Sequence, residues 1–185
     1  MKKYKIAVIV GSLRKESFNL KTAKTLIALA PESLSLEIIN IANLPMFNED
    51  LEATPPKEWV EFKKQISAVD GLLFLTPEYN RSVPGVLKNA IDVGSRPYGN
   101  NSWNEKPAAI VSVSIGPISG FGANHHLRQS LVFVNVHTMA QPEAYIGGAA
   151  ALFDDNGNLT NDSTKEFLKS FMAAFEKWID TNVQQ

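Results

Sequence analysis

Residues 5–19 read KIAVIVGSLRKESFN. The run from Lys5 to Val10 is almost continuously apolar and largely β-branched, and Gly11 stops it. Such a run predicts a strand that is covered on both faces, as in a parallel sheet. The glycine allows a sharp turn, and the loop after it leads into apolar residues at mostly helical spacing that end at Pro31.

The same order of strand, loop and helix continues along the chain. Further strands are predicted at 34–40, 71–76, 108–114 and 144–146, and helices after Pro55-Pro56, after Pro84-Gly85, over 126–139 and after the capping box Ser163–Glu166. Residues 132–136 alone would also suit a strand. Because crossovers between parallel strands are short and right-handed, this alternation predicts one α/β domain over residues 1–185, with five strands and helices on both faces.

The composition excludes several classes of function. Lys and Arg number 18 against 19 Asp and Glu, so no basic excess favours nucleic acid or an anionic membrane surface. The chain has no cysteine, which excludes thiol catalysis, dithiol redox chemistry and cysteine-held clusters. The apolar run 6–10 is too short for a signal peptide or a membrane span, so we expect a cytoplasmic protein with no membrane partner.

The loop at 11–19 carries groups suited to a phosphate. Ser12 and Ser17 offer hydroxyls, Asn19 an amide and Arg14 a planar cation, just before a helix N-terminus that favours anions. Neither G-x-G-x-x-G nor G-K-[ST] is present, so a single terminal phosphate fits better than a dinucleotide pyrophosphate or a Walker loop. An ordinary turn with an N-cap serine is the alternative, and the local residues leave both open.

A second loop follows the strand at 71–76 and reads PEYNRSVP over 77–84. A proline-bounded loop in this place can aim backbone N–H groups at a planar heterocycle, with the Tyr79 ring and the Asn80 amide beside it. A polar strand-to-helix turn with proline at the helix start is the simpler alternative.

Together, GSLRKESFN and PEYNRSVPGVLKNAID resemble the NADPH-dependent FMN reductase family, and within it the bacterial quinone and chromate reductases. The resemblance covers nearly the whole chain. It implies a flavodoxin-like three-layer sandwich with a five-stranded parallel sheet in the order 2-1-3-4-5. It also implies bound FMN and homodimers that are often paired into homotetramers.

The resemblance also implies the site residues. The FMN phosphate would be held by Gly11, Ser12, Leu13, Arg14, Ser17, Phe18 and Asn19, with Leu13 and Phe18 contributing backbone amides. The isoalloxazine would be lined by Pro77, Glu78, Tyr79 and Asn80 and, at its other edge, by Ser114, Ile115 and Gly116 with Ser119-Gly120. Relatives often carry an arginine near the end of this third loop, where this chain has Phe121-Gly122-Ala123.

The implied reaction passes hydride from NADPH, or NADH, through FMN N5 to a quinone that replaces the nicotinamide. Chromate, azo compounds and nitro compounds are permissible acceptors as well. Since the flavin carries this chemistry, no catalytic side chain and no metal are expected. Glu78 is expected to position its loop, and the helices that start at Pro84 and Gly122 are the candidate subunit interface.

Other interpretations stay open at this point. A flavodoxin-type electron carrier would share the fold, but such carriers tend to be strongly acidic, whereas the net charge here is -1. A phosphate-binding α/β protein without flavin is a weaker alternative. His125 and His126 are adjacent and make a poor metal pair, and Arg81 and Arg96 are candidates for the NADPH 2′-phosphate, with solvated charge as the simpler interpretation.

Overall fold

A parallel sheet forms the centre of the molecule in the computed structural model, which describes residues 2–183. Its strands in this part of the chain are β1 (Tyr4–Val10), β2 (Leu34–Ile39), β3 (Gly71–Thr76), β4 (Pro107–Val113), β5 (His137–Thr138) and β6 (Ala144–Ile146). The order is β2-β1-β3-β4-β5, and β6 also pairs with β4. The flavodoxin-like fold and its strand order are therefore confirmed.

The count of five strands needs a correction, because the position beside β4 is occupied by two short strands. β5 pairs with the start of β4, at Pro107 and Ala108, and β6 pairs with its end, from Val111 to Val113. The chain leaves the sheet between them, over residues 139–143. A two-residue strand is too short to produce an alternating pattern, so β5 gave no signal in the sequence.

Five helices flank the sheet in the described part of the chain: α1 (Phe18–Leu29), α2 (Lys57–Ser67), α3 (Gly85–Ser95), α4 (Phe121–Phe133) and α5 (Asp162–Asn182). One apolar cluster packs α1 and α5 against one face of the sheet, and a second packs α2, α3 and α4 against the other. This is the expected three-layer sandwich. None of the helices between residues 2 and 183 combines the length and apolar character needed to cross a bilayer.

The two central strands show why the sequence specifies this sheet. Every residue of β3 and β4 is buried, and alternate residues enter opposite clusters, as Leu73 and Phe74 do. Burial of each large apolar side chain contributes about 1.5–3 kcal/mol. Only a strand with helices on both faces gains this contribution from successive residues, which explains the continuous apolar runs.

Two helix boundaries differ from those expected. α4 covers Phe121–Phe133 and not 126–139, because Asn135 adopts a left-handed backbone (φ 58°) and turns the chain into β5. α5 begins at Asp162, with Asn161 rather than Ser163 as its N-cap. The Asn161 Oδ1 accepts the Thr164 amide at 2.9 Å and the Ser163 hydroxyl at 2.8 Å, so Asn161 is the capping residue.

The contact between α3 and Trp103 gives a test of the packing. Trp103 is fully buried, and its Nε1 donates to the carbonyl of Ile91 at 3.0 Å. A Cβ at Gly94 would overlap this indole, whereas a Cβ at Gly85, at the start of the same helix, would meet nothing within 4 Å.

We expect Gly94→Ala to lower the free energy of unfolding by about 1–3 kcal/mol, through overpacking. Gly85→Ala is the matched control and should be neutral or raise it by up to about 1 kcal/mol, through better helix propensity. Urea denaturation of both variants measures the difference. Equal stabilities would mean that Trp103 does not occupy this position in solution.

Candidate functional site

Three loops at the carboxyl ends of β1, β3 and β4 surround one cleft of about 250 Å³. This is where ligands bind in open α/β sheets. The lining residues are Ser12, Arg14, Ser17, Phe18 and Asn19 from the first loop, Pro77, Glu78 and Tyr79 from the second, and Val113, Ser114 and Ile115 from the third. Ten of the fourteen predicted site residues are thus brought together.

The other four predicted residues lie beside this cleft and do not line it. Leu13 is 59% exposed, Asn80 lies in a turn, Gly116 follows the third-loop lining and Gly11 has a structural role. The Gly11 amide donates to the carbonyl of Leu75 at 2.8 Å, and a Cβ on Gly11 would lie 3.0 Å from Leu87 Cδ2. The glycine therefore permits the close approach of β1, β3 and α3.

The first loop places an anion-binding helix end in the cleft. Ser17 is the N-cap of α1, and its Oγ accepts the Leu20 amide at 3.3 Å. The amides of Leu13, Phe18 and Asn19 donate to no acceptor within residues 2–183. Phe18 and Asn19 open α1, where the helix dipole is positive, and Leu13 lies in the loop before it, so their unpaired amides suit a phosphate.

Arg14 lies at the mouth of this anion site. Its guanidinium donates to the carbonyl of Glu16 at 2.8 Å and lies 5.5 Å from the centroid of the Phe18 ring. The loop is folded locally as well, since the Arg14 amide reaches Ser12 Oγ at 3.4 Å. One bond to a carbonyl leaves most of the guanidinium donors available to a phosphate.

Asn19 supplies the test of whether these residues fit FMN. Its side chain is 3% exposed, and its Nδ2 donates to the carbonyl of Val113 at 3.3 Å. Its Oδ1 is buried and has no hydrogen-bond partner among the described residues. A buried acceptor without a partner costs stability, and a ligand hydroxyl beside the phosphate would satisfy it. A phosphate ester with a hydroxylated chain, as in FMN, therefore fits this wall of the cleft.

The second loop presents Tyr79 on a tight hairpin turn. Tyr79 and Ser82 exchange backbone hydrogen bonds of 3.1 and 3.0 Å, and the two residues between them, Asn80 and Arg81, have φ of 52° and 64°. Two left-handed residues in succession are the geometry of a type I′ turn. The turn leaves the Tyr79 ring 54% exposed at the cleft.

Glu78 ties the second loop to the third. Its Oε2 accepts the Ala123 amide in the first turn of α4 at 3.0 Å, and its Oε1 accepts Arg81 Nη1 at 2.9 Å. A Cβ on Gly122 would lie 2.9 Å from that carboxylate, so only glycine leaves room for the contact. The side chain of Glu78 is 10% exposed, which agrees with the expected positioning role. Sequence reasoning missed Gly122 and Ala123 as partners of Glu78.

The third loop is shaped by its own backbone. The Ser114 amide donates to the carbonyl of Ile146 on β6 at 2.9 Å, and the Gly116 amide donates to Ser114 Oγ at 3.2 Å. Gly120 has φ of 74° and is the N-cap residue of α4. Ile115 is 69% exposed and faces the cleft with an apolar side chain.

The two adjacent histidines have different partners. His126 Nδ1 lies 2.7 Å from Ser82 Oγ, and His125 Nε2 lies 2.9 Å from the Tyr145 hydroxyl. Burial, with a smaller contribution from Glu143, raises the pKa of Tyr145 to about 12, so the phenol stays protonated at neutral pH. Between residues 2 and 183, His, Asp and Glu form no group of three or more that would hold a metal ion.

The two arginines considered for the NADPH 2′-phosphate differ in position. Arg81 belongs to the second loop, is exposed and pairs with Glu78. The side chain of Arg96 is only 17% exposed and pairs with Glu49 and Glu52, outside the cleft. Its charge is therefore paired with two carboxylates, and it does not line this site.

Known proteins resemble the chain along most of its length. Residues 4–151 match the model of the family described as NADPH-dependent FMN reductase. The chain is 59% identical over 180 residues to a quinone reductase of Pseudomonas putida (97% of this chain, 96% of the relative) and 44% identical over 175 residues to a 2-hydroxy-1,4-benzoquinone reductase of Burkholderia sp. (95% and 96%). Among solved structures, the flavoenzyme NAD(P)H:(acceptor) oxidoreductase FerB of Paracoccus denitrificans matches with a TM-score of 0.92 and 42% identity, over 98% of this chain and 100% of that one. The cleft suits a hydroxylated phosphate ester, and the similarities extend along the length of the chain. The chain therefore belongs to the NADPH-dependent FMN reductase family.

Proposed function

We propose that this protein is an FMN-dependent NAD(P)H oxidoreductase whose acceptors are quinones. The observation that carries the proposal is the union, in one cleft, of a helix N-terminus with unpaired amides and a proline-bounded loop bearing an exposed tyrosine. The names of the relatives support the reaction class, since they are quinone reductases and an NAD(P)H:(acceptor) oxidoreductase.

We assign the phosphate end of FMN to the first loop. Arg14 would supply charge-assisted hydrogen bonds, Ser12 and Ser17 hydroxyl groups, and Leu13 and Phe18 amides. The orphaned Oδ1 of Asn19 would accept a hydroxyl of the ribityl chain. Gly11 would allow the loop to turn at this point.

The isoalloxazine is assigned to the space between the second and third loops. Pro77, Glu78, Tyr79 and Asn80 would line one edge, chiefly through main-chain groups, and Ser114, Ile115 and Gly116 the other. Glu78 holds the two loops together through the Ala123 amide, so the space keeps its width before a ligand enters. Walls that are already ordered lower the entropic cost of binding.

When bound there, FMN supplies the hydride chemistry between NAD(P)H and the acceptor. The protein's part is to orient the ring system and to leave one side open for the nicotinamide and then for the acceptor. No side chain is assigned a catalytic acid–base role, and no metal is required. Quinones are the acceptor class that the relatives' names favour, and chromate, azo compounds and nitro compounds are further candidate acceptors.

We further propose that the chain works as one domain over residues 1–185, in the cytoplasm, as a homodimer or homotetramer. Exposed apolar side chains on α4 support the subunit contact: Phe121 is 49%, Val132 69% and Phe133 86% exposed. Apolar side chains at this exposure favour burial against another surface. The expected interface consists of α3 and α4.

The first prediction from the proposed function concerns the visible spectrum. Purified protein mixed with FMN and desalted should stay yellow, should bleach when NADPH is added without oxygen, and should regain its colour when a quinone is added. Stopped-flow absorbance under anaerobic conditions measures each step. A yellow protein that ignores NADPH and NADH would instead be an electron carrier, and a colourless protein would contradict the assignment of FMN.

The second prediction concerns Arg14. Arg14→Ala should weaken FMN binding about 10- to 100-fold, because a charge-assisted contact to phosphate contributes about 1.5–3 kcal/mol. Lys15→Ala is the matched control, since it removes a neighbouring exposed charge that does not line the cleft. Quenching of FMN fluorescence gives both dissociation constants. Unchanged affinity in Arg14→Ala would remove this residue from the site.

The third prediction concerns the subunit contact. Phe133→Asp should shift the protein toward monomers in analytical ultracentrifugation, because it places a charge in the proposed interface. Met46→Asp, at a residue that is 73% exposed and outside α3 and α4, should leave the assembly unchanged. A wild-type protein that sediments as a monomer would contradict the proposed assembly.

A further inference from the structure

A second cavity, of about 290 Å³, lies between α2 and α3 and is closed by the segments 47–55 and 96–102. It shares no lining residue with the cleft assigned to FMN. Its volume is at the lower end of the range for ligand pockets, which runs from about 300 to 1,000 Å³. A ligand of about one ring would fill it.

Six of the thirteen residues that line this cavity are apolar, and Trp59 is the largest of them. Trp59 is 4% exposed, its Nε1 donates to the carbonyl of Pro45 at 2.9 Å, and its ring stacks on Phe47 with centroids 5.5 Å apart. Arg96 fastens the segments that close the cavity, since its Nε lies 2.6 Å from Glu52 Oε1 and its Nη2 lies 3.0 Å from Glu49 Oε1. The small part of the indole that reaches the cavity offers an apolar contact to a ring.

Lys63 places a positive charge in this cavity. Its Nζ donates to the carbonyl of Arg96 and, at 2.6 Å, to the carbonyl of Asn100. It forms no ion pair with any carboxylate in residues 2–183. Partial burial lowers the pKa of the ammonium, an effect that Glu52 opposes. Two of its three N–H donors are used, so one is left for a ligand.

Ser102 adds a second donor. The residue is 7% exposed and lines the cavity, and its Oγ is buried without a hydrogen-bond partner among the described residues. A buried hydroxyl without a partner costs stability, which an acceptor atom in the cavity would recover.

The charge balance of the lining decides the sign of the ligand. Lys63, Lys64 and Arg96 face one lining carboxylate, Glu52. Glu49, which pairs with Arg96 from outside, and Glu52 balance Lys63 and Arg96, so the one positive charge in excess is that of Lys64, which is exposed at the rim. A partly buried positive site favours an anion and disfavours a cation.

We propose that this cavity binds a small organic carboxylate, with its apolar ring on Trp59 and its carboxylate on Lys63 and Ser102. The site is independent of the flavin cleft and of the function proposed for it.

Isothermal titration of the FMN-loaded protein with benzoate tests the proposal, with benzamide as the neutral probe of equal shape. Benzoate should bind with one site per chain and benzamide at least about tenfold more weakly, because it lacks the charge that Lys63 and Ser102 recognise. The visible spectrum of FMN should not change. In ¹⁵N NMR, the indole N–H signal of Trp59 should shift while that of Trp178, on α5, stays in place.

Lys63→Met should weaken benzoate binding at least about tenfold, since it keeps the chain length and removes the charge. Lys57→Met, an exposed position on the same helix outside the cavity, is the control and should bind within about twofold of wild type. Ser102→Ala, a smaller change, should weaken binding by a few fold and serves where Lys63→Met does not fold.

Four results would contradict the proposed site. The first two are equal affinities for benzoate and benzamide and a change in the flavin spectrum when benzoate is added. The other two are an unshifted Trp59 signal and an equal loss of benzoate affinity in Lys63→Met and Lys57→Met. None of these depends on quinone reduction, so the cavity and the proposed oxidoreductase can fail separately.

Discussion

The site depends on one constraint, the hydrogen bond from the Gly11 amide to the carbonyl of Leu75. Leu87 packs against the same position, 3.0 Å from where a Cβ of residue 11 would lie. Together these contacts join the ends of β1 and β3 and bring α3 close to both. A Cβ at Gly11 would lie 3.0 to 3.2 Å from the Leu87 side chain and the Leu75 carbonyl, so glycine allows this approach without displacing them. The loop that follows therefore turns out of the sheet and leads into α1, and the first amides of α1 face the cleft. The proposed phosphate site is a consequence of this one approach.

A second connection sets the width of the cleft. Glu78 reaches across to the Ala123 amide, and Gly122 leaves room for it, so the second and third loops are held at a fixed separation. A carboxylate at a helix N-terminus is stabilised by the dipole as well as by the hydrogen bond. The Tyr79–Ser82 turn, built from two left-handed residues, adds rigidity on the same side. The polar groups of the second and third loops are therefore in position before a ligand arrives. Among the buried side-chain acceptors of the described residues that line the cleft, Asn19 Oδ1 is the one without a partner.

The two proposed binding sites differ in how their charges are handled. At the flavin cleft, Arg14 is exposed and held by a single carbonyl, so it can turn toward a phosphate at little cost. At the second cavity, Lys63 is held by two carbonyls and Arg96 by two carboxylates, so the positive group is built into the wall. The first arrangement suits a phosphate that the guanidinium can turn to meet, and the second suits a small ligand that enters an existing space.

The sequence by itself determined the central sheet, the helix order and the family. Strands such as β3 can be recognised in the sequence as continuous apolar runs, because burial on both faces excludes the alternation of polar and apolar residues. Glycine and proline at the turns mark where each run ends. These signals placed the three loops, and the resemblance to the family supplied ten of the residues that line the cleft. Only the tertiary structure decided the rest. The fifth strand position is divided into β5 and β6 because each pairs with a different part of β4. The hydrogen bond between Glu78 and the Ala123 amide joins residues 45 positions apart. The cavity at Lys63 forms where α2, α3 and two loops meet. These features depend on long-range contacts, and a local pattern carries no information about which distant backbone group or side chain will lie opposite.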